Sequence, residues 1–124
     1  DFREDLMFDH VGIRVKDLQA AVRLYKAMLA PLGHKPEAAG DGYAGFGTAL
    51  WLHENKKGGG THVALRAPTR AAVDEFHKEG IKAGAKDNGK PGLRTDYSPT
   101  YYAAFLIDPD GNNIEAVGTT SRSA

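Results

Sequence analysis

The sequence predicts an α+β fold of two βαβββ modules, and three observations lead to that prediction. Residues 10–15 (HVGIRV) align with residues 62–67 (HVALRA). The similarity continues at residues 20–22 and 71–73, which both read AAV, with one residue lost in between. In each half, strand-like alternation is followed by helical periodicity. A repeat that extends from a strand into the next helix indicates duplication of one structural unit.

Length and composition fit one domain spanning residues 1–124, with modules at residues 7–55 and 61–118. The chain has 124 residues, 41% hydrophobic and 26% charged, and its formal net charge is zero. It therefore has no overall attraction to nucleic acid or to an anionic membrane. The absence of cysteine excludes disulfides, thiolate nucleophiles and Cys-ligated zinc. No apolar run approaches the ~20 residues that span a bilayer, and no signal peptide is visible, so we expect a cytoplasmic protein.

The first module begins with a predicted strand at residues 8–15, where apolar and polar residues alternate. Asp17 can cap the helix that follows, and Pro31 with Gly33 ends it. The remaining strands are predicted between glycines, at residues 34–39, 43–47 and 49–54.

The second module repeats this order. Thr69 is the predicted cap of its helix, and Gly80 leaves the end of that helix uncertain. The residues at 108–111 (DPDG) form a tight turn between the last two strands. We predict a flexible link at residues 56–60 and an irregular stretch at 89–99 that could cover a site. The predicted strands are residues 86–88, 101–107 and 113–117.

Strand alternation predicts which side chains share a face. Residues two apart in a strand point to the same side, so His10 and Arg14 point together, as do His62 and Arg66. When the last strands of the two halves are aligned, Trp51 and Glu115 occupy equivalent positions in the repeat.

His10, His62 and Glu115 form a candidate metal-binding set. Each histidine alone is an ordinary strand residue, and Glu115 alone could be the solvated face of an edge strand. Matching positions in the repeat, however, would bring both imidazoles towards one axis. A carboxylate on a concave apolar face is costly unless it meets a cation. Two histidines and a carboxylate suit Fe, Mn, Zn or Ni.

Residues 8–15, 61–65 and 101–117 (YYAAFLIDPDGNNIEAV) resemble the vicinal oxygen chelate superfamily. This superfamily contains glyoxalases, extradiol dioxygenases, fosfomycin-inactivating thiol transferases and bleomycin resistance proteins. The resemblance covers residues 8–118 and includes the order of the elements.

The resemblance implies that paired modules form a cupped mixed sheet around a divalent metal, with His10, His62 and Glu115 as its ligands. Trp51 stands where glyoxalase I has a fourth ligand, and an indole cannot bind a metal. Gly12 stands where the thiol transferases have a threonine. Both departures argue against those two activities.

Two hypotheses follow for the function. The first is a metal-dependent lyase or dioxygenase that chelates a small molecule through neighbouring oxygens. The second is a metal-independent protein that sequesters a drug-like molecule, since aromatic side chains in the same region could stack on flat ligands. The residues in question are Trp51, Tyr97, Tyr101, Tyr102 and Phe105.

Other candidates have supporting roles. His53 could be an accessory base, although surface exposure is the simpler interpretation. Tyr97 and Tyr101 could donate a hydrogen bond to a substrate oxygen. Arg14 and Arg66 could clamp an anionic substrate, although exposed, salt-bridged arginines are the commoner explanation. We also expect a homodimer, because short open sheets leave edges that a second copy would cover.

Overall fold

The structure, a computed structural model, describes residues 10–47 and 49–118. The predicted start of the first strand, at residues 8 and 9, lies outside the described residues. The first module contains β1 (Val11–Val15), α1 (Leu18–Leu29), β2 (Pro36–Gly40), β3 (Tyr43–Phe46) and β4 (Leu50–Glu54). The second contains β5 (His62–Arg66), α2 (Arg70–Lys82), β6 (Lys86–Leu93), β7 (Tyr102–Ile107) and β8 (Asn113–Gly118). The predicted α+β class and the repeated βαβββ order are confirmed.

Each module forms its own four-stranded mixed sheet. The strand orders are β1-β4-β3-β2 and β5-β8-β7-β6, with β1 and β5 parallel to their neighbours and the other pairs antiparallel. Gly12 pairs with Trp51 in the first sheet, and Ala64 pairs with Glu115 in the second. Trp51 and Glu115 therefore hold equivalent places in the two modules.

Both helices begin as the sequence predicts. The Asp17 side chain accepts a hydrogen bond from the backbone N–H of Ala20 at 3.1 Å, and Thr69 accepts one from Ala72 at 3.0 Å. Each bond satisfies a donor that the first helical turn leaves without a partner. After α1, a short 3₁₀ turn containing Pro31 ends at Gly33, whose φ of 92° favours glycine.

The apolar core lies where the two helices meet the inner faces of the sheets. α1 packs against β3 and β4, α2 packs against β6, β7 and β8, and the two helices contact each other. Ile13, Leu52, Phe76 and Ile114 are among the buried residues of this single cluster. The opposite face of each sheet points away from this core, and we call it the open face. Among the described residues, no strand of one sheet pairs with a strand of the other.

A buried polar network joins the modules. The Tyr25 hydroxyl of α1 donates to the Asp108 carboxylate at 2.8 Å. Asn112 donates through Nδ2 to Asp108 at 2.9 Å and to the Arg14 carbonyl at 3.0 Å. The backbone N–H groups of Asp110 and Asn112 both donate to the other oxygen of Asp108. The 108–112 turn of the second module is thereby fixed to α1 and β1 of the first.

The prediction for residues 86–99 is partly wrong. β6 continues through Gly89 to Leu93 instead of ending near residue 88. Its pairing with β7 shifts between Asp87 and Gly89 and again between Gly89 and Gly92. Such irregularities accommodate glycine and proline in an edge strand, where the sequence suggested a loop. No helix in the described ranges is long and apolar enough to cross a bilayer.

Candidate functional site

The open face of the second sheet carries a buried carboxyl group. Glu115 of β8 lies between Ala64 of β5 and Phe105 of β7, and only 3% of its surface is exposed. Its Oε1 lies 3.0 Å from Nε2 of His62, and its Oε2 accepts a 2.5 Å hydrogen bond from the Tyr101 hydroxyl. The structure therefore brings together three of the predicted site residues.

These two partners make burial of the Glu115 carboxyl group tolerable. Burying a charge without partners is very costly, whereas hydrogen bonds from charged or polar donors offset that cost. Burial, followed by the hydrogen bond to Glu115 and its charge, raises the pKa of Tyr101 to about 12. Tyr101 thus remains a protonated donor near neutral pH.

Aromatic rings surround this cluster. Tyr97 meets Tyr101 edge to face, with ring centroids 4.9 Å apart, and the His62 ring lies 6.5 Å from that of Phe105. The Arg94 guanidinium sits 5.5 Å from the centroid of Phe105 and donates to the carbonyls of Lys90 and Gly92 in β6. Tyr97 is 66% exposed, so the cluster opens to solvent on its side.

The open face of the first sheet has a different character. Trp51 lies between Gly12 and Gly45, and the next row contains Arg14, His53 and Tyr43. His53, predicted as an accessory base, belongs to this face and not to the sheet that carries Glu115.

The two predicted arginines are both exposed. Arg14 donates to the Gly59 carbonyl at 3.4 Å, and Arg66 pairs with Val117 in the register of the second sheet. They lie on different sheets, so the described contacts do not bring them to one substrate.

The predicted metal set is only partly assembled within one chain. His62 and Glu115 are in contact, and His10 directly precedes β1 of the other sheet. Across residues 10–47 and 49–118, no group of three or more His, Asp or Glu side chains could hold a metal ion. One chain thus supplies two adjacent donors of suitable chemistry, and that pair alone does not fit a three-ligand centre.

Tyr43 and Gly45 were not among the predicted site residues. The signal was present in the sequence, because Tyr43 and Gly45 alternate with Ala44, which faces the core. Only the register of β3 against β4, however, places Gly45 beside Trp51.

Residues 7–116 match the family model described as the Glyoxalase/Bleomycin resistance protein/Dioxygenase superfamily. The chain belongs to this superfamily. Its members bind small molecules, and many depend on a metal and form dimers. No curated protein is close enough to count as a relative.

Solved structures of the superfamily share the fold. A glyoxalase/bleomycin resistance protein from Albidiferax ferrireducens T118 is 28% identical, with a TM-score of 0.80 over 91% of this chain and 98% of its own. A glyoxalase/bleomycin resistance protein/dioxygenase family enzyme from Burkholderia phytofirmans PsJN is 18% identical, with a TM-score of 0.71 over 90% and 98%. A lactoylglutathione lyase from Agrobacterium tumefaciens is also 18% identical, with a TM-score of 0.66 over 91% and 92%. Because the last two proteins are only 18% identical to this chain, their similarity shows a shared fold and nothing more.

Proposed function

We propose that this protein is a divalent-metal-dependent enzyme acting on a small molecule with neighbouring oxygens, and that its site is completed in a homodimer. The observation that carries the proposal is the contact between His62 and the buried Glu115 on an open sheet face. In the proposed dimer, His10 of one copy joins His62 and Glu115 of the other. An ion held there would polarise two adjacent substrate oxygens.

Two sheet edges support the proposal that a second copy of the chain binds. Within the described part of the chain, β1 and β5 each pair on one side only, with β4 and β8. An exposed edge offers unpaired N–H and C=O groups to another strand. Val63 and Leu65 alternate along β5 and are only partly buried. If β1 of one copy lies beside β5 of another, the open faces of two different modules become neighbours.

Residues around the proposed metal ligands would have separate roles. Tyr101 holds Glu115 Oε2, which leaves Oε1 turned towards His62. Because its hydroxyl stays protonated, Tyr101 can orient the carboxyl group without competing for a metal. Tyr97, packed edge to face on Tyr101, helps to hold that phenol ring in place on the solvent-exposed side of the cluster. His53 would serve as the accessory base from the neighbouring face.

The alternative function is metal-independent sequestration of a small molecule. One observation favours it: both oxygens of Glu115 already have hydrogen-bonding partners, in His62 and Tyr101. A polar cluster whose hydrogen bonds are satisfied, lying beside aromatic rings, also suits the binding of a drug-like ligand.

Metal analysis with a complementation design tests the proposal. Tag-free wild type is expected to take up a divalent ion stoichiometrically, whereas His10→Ala and Glu115→Gln are each expected to lose it. Both variants are checked for folding by circular dichroism. When the two are unfolded, mixed in equal amounts and refolded, half the dimers are mixed and one of their two sites is intact. About one quarter of the wild-type metal should then return.

Failure of the mixture to recover metal would show that no site is shared between copies. Wild type without metal would overturn the enzyme proposal. If such a protein binds an aromatic drug equally well before and after Glu115→Ala, sequestration is the function.

A further inference from the structure

Three rings on the open face of the first sheet lie across glycines. A Cβ added to Gly45 would be 2.5 Å from Cζ3 of Trp51, so the indole covers the β3 backbone. A Cβ on Gly40 would be 2.4 Å from Cζ of Tyr43, so the phenol ring covers β2 in the same way. These glycines allow rings to lie along the sheet where other residues would push them off.

His53 extends this surface in the opposite direction. A Cβ on Gly12 would be 3.3 Å from Cδ2 of His53, so the imidazole lies over β1. The Tyr43 and Trp51 ring centroids are 6.0 Å apart, with planes tilted by 56°. We call Tyr43, Trp51 and His53 the aromatic floor.

Positive charge borders the aromatic floor. Arg14 is the register partner of His53, points to the same face and is exposed. Its guanidinium has five N–H donors and makes a 3.4 Å hydrogen bond to the Gly59 carbonyl. In these two rows of β1, β4 and β3 there is no acidic side chain, since they contain Gly12, Trp51 and Gly45, then Arg14, His53 and Tyr43.

We propose that the aromatic floor binds a planar aromatic ring carrying an anionic group, with the ring on Trp51 and the anion at Arg14. Flat rings gain dispersion and offset-stacking energy on such a surface, and guanidinium pairs well with carboxylate or phosphate. This inference rests on the proposed function in one respect, namely that a small molecule enters between the open faces. It assigns the chemical class of that molecule from the first sheet alone.

The sole tryptophan of the chain, Trp51, reports binding directly. The probe is 2-naphthoate, added in EDTA so that metal plays no part, with Trp51 fluorescence and calorimetry as readouts. The matched controls are decahydronaphthalene-2-carboxylate, which keeps the anion and loses the planar ring, and 2-naphthalenemethanol, which keeps the ring and loses the charge. Each should bind roughly tenfold more weakly than 2-naphthoate.

Variants separate the two contributions. Gly45→Ala, checked for folding, should weaken 2-naphthoate roughly tenfold by lifting the indole. Arg14→Gln, at an exposed position, should weaken 2-naphthoate and leave 2-naphthalenemethanol unchanged. Lys78→Gln, which removes an exposed positive charge of α2, should bind 2-naphthoate as wild type does.

Several results would overturn the inference. They are no binding by folded wild type at concentrations on the order of 1 mM, equal binding of the saturated acid, and an effect of Lys78→Gln as large as that of Arg14→Gln. Because the assay contains no metal, its failure is distinguishable from failure of the metal-site proposal.

Discussion

The two open faces are built on the same backbone plan and differ in the residue at their centre, Trp51 in one and Glu115 in the other. In the first sheet the central row is Gly12, Trp51 and Gly45; the Trp51 ring lies over Gly45, and the His53 ring of the next row lies over Gly12. In the second sheet the equivalent row is Ala64, Glu115 and Phe105, with a buried carboxyl group at the centre. The core-facing positions are apolar in both modules, as at Ile13 and Leu65, because packing restricts the choice of residue there. Outward, Arg14 and Arg66 are the same in both modules, whereas the central row differs, with an indole in one and a carboxyl group in the other.

The two faces keep their relative positions only if the two modules are firmly joined. The largest expected change in the free energy of unfolding is therefore at Asp108, in the buried network that joins them. Asp108→Ala should lower the free energy of unfolding by about 3 kcal/mol or more, since four donors lose their buried acceptor. Urea unfolding followed by Trp51 fluorescence measures this loss. The exposed Asp96→Ala variant is the control, with an expected change within about 0.5 kcal/mol. A similar small change for Asp108→Ala would mean that the network does not hold the modules together.

The next largest effect is expected at Gly45, the glycine that lies under the Trp51 ring on the first open face. Gly45→Ala should destabilise the fold by about 2 kcal/mol, because its new methyl group would meet the indole at 2.5 Å. The same urea experiment tests this value. Unchanged stability would show that Trp51 can leave the β3 backbone at little cost, and the flat surface would then not be a fixed feature.

The buried network around Asp108 also leads to a prediction of how the free energy of unfolding varies with pH. Burial, and then the charge of Asp108, raises the pKa of Tyr25 above its ordinary range. An unfolded tyrosine ionises near pH 10, so above that pH the unfolded state binds fewer protons than the folded state. The free energy of unfolding should therefore fall as pH rises above about 10, by up to about 1.4 kcal/mol per pH unit from this residue.

Tyr25→Phe should reduce that slope in urea titrations between about pH 9 and about pH 11. Tyr97→Phe, which removes an exposed hydroxyl, serves as its matched control. Equal slopes for wild type and Tyr25→Phe would contradict the prediction.

The smallest expected effect is at Gly12, the position where the second module already has Ala64. Gly12→Ala should stabilise the fold by about 0.5 kcal/mol, because alanine loses less backbone entropy and the exposed His53 ring can move by the few tenths of an ångström required. Thermal unfolding monitored by circular dichroism would detect it. Destabilisation instead would indicate that His53 is held rigidly over β1.

The local architecture could be predicted well from the residues. The repeat, the Asp17 and Thr69 caps and the alternation around Trp51 and Glu115 are encoded within a few neighbouring positions. β6 was predicted less well, because Gly89 and Pro91 signal a loop in sequence whereas an edge strand tolerates them as irregularities. From the sequence, His62, Tyr101 and Glu115 were placed in one site, but the hydrogen bonds from His62 and Tyr101 to Glu115 were not predicted.

Short-range periodicity and capping are enough to specify two βαβββ units and the side chains that face away from their cores. The contact between the two helices, and the two separate sheets formed by the described strands, depend on packing between distant parts of the chain. The same holds for the meeting of His62 and Glu115 within a chain, without a third metal donor among the described residues. The reason is physical: periodicity specifies the buried face of each element, whereas the pairing of those faces depends on shape and hydrogen bonds between residues distant in sequence, such as Tyr25 and Asp108.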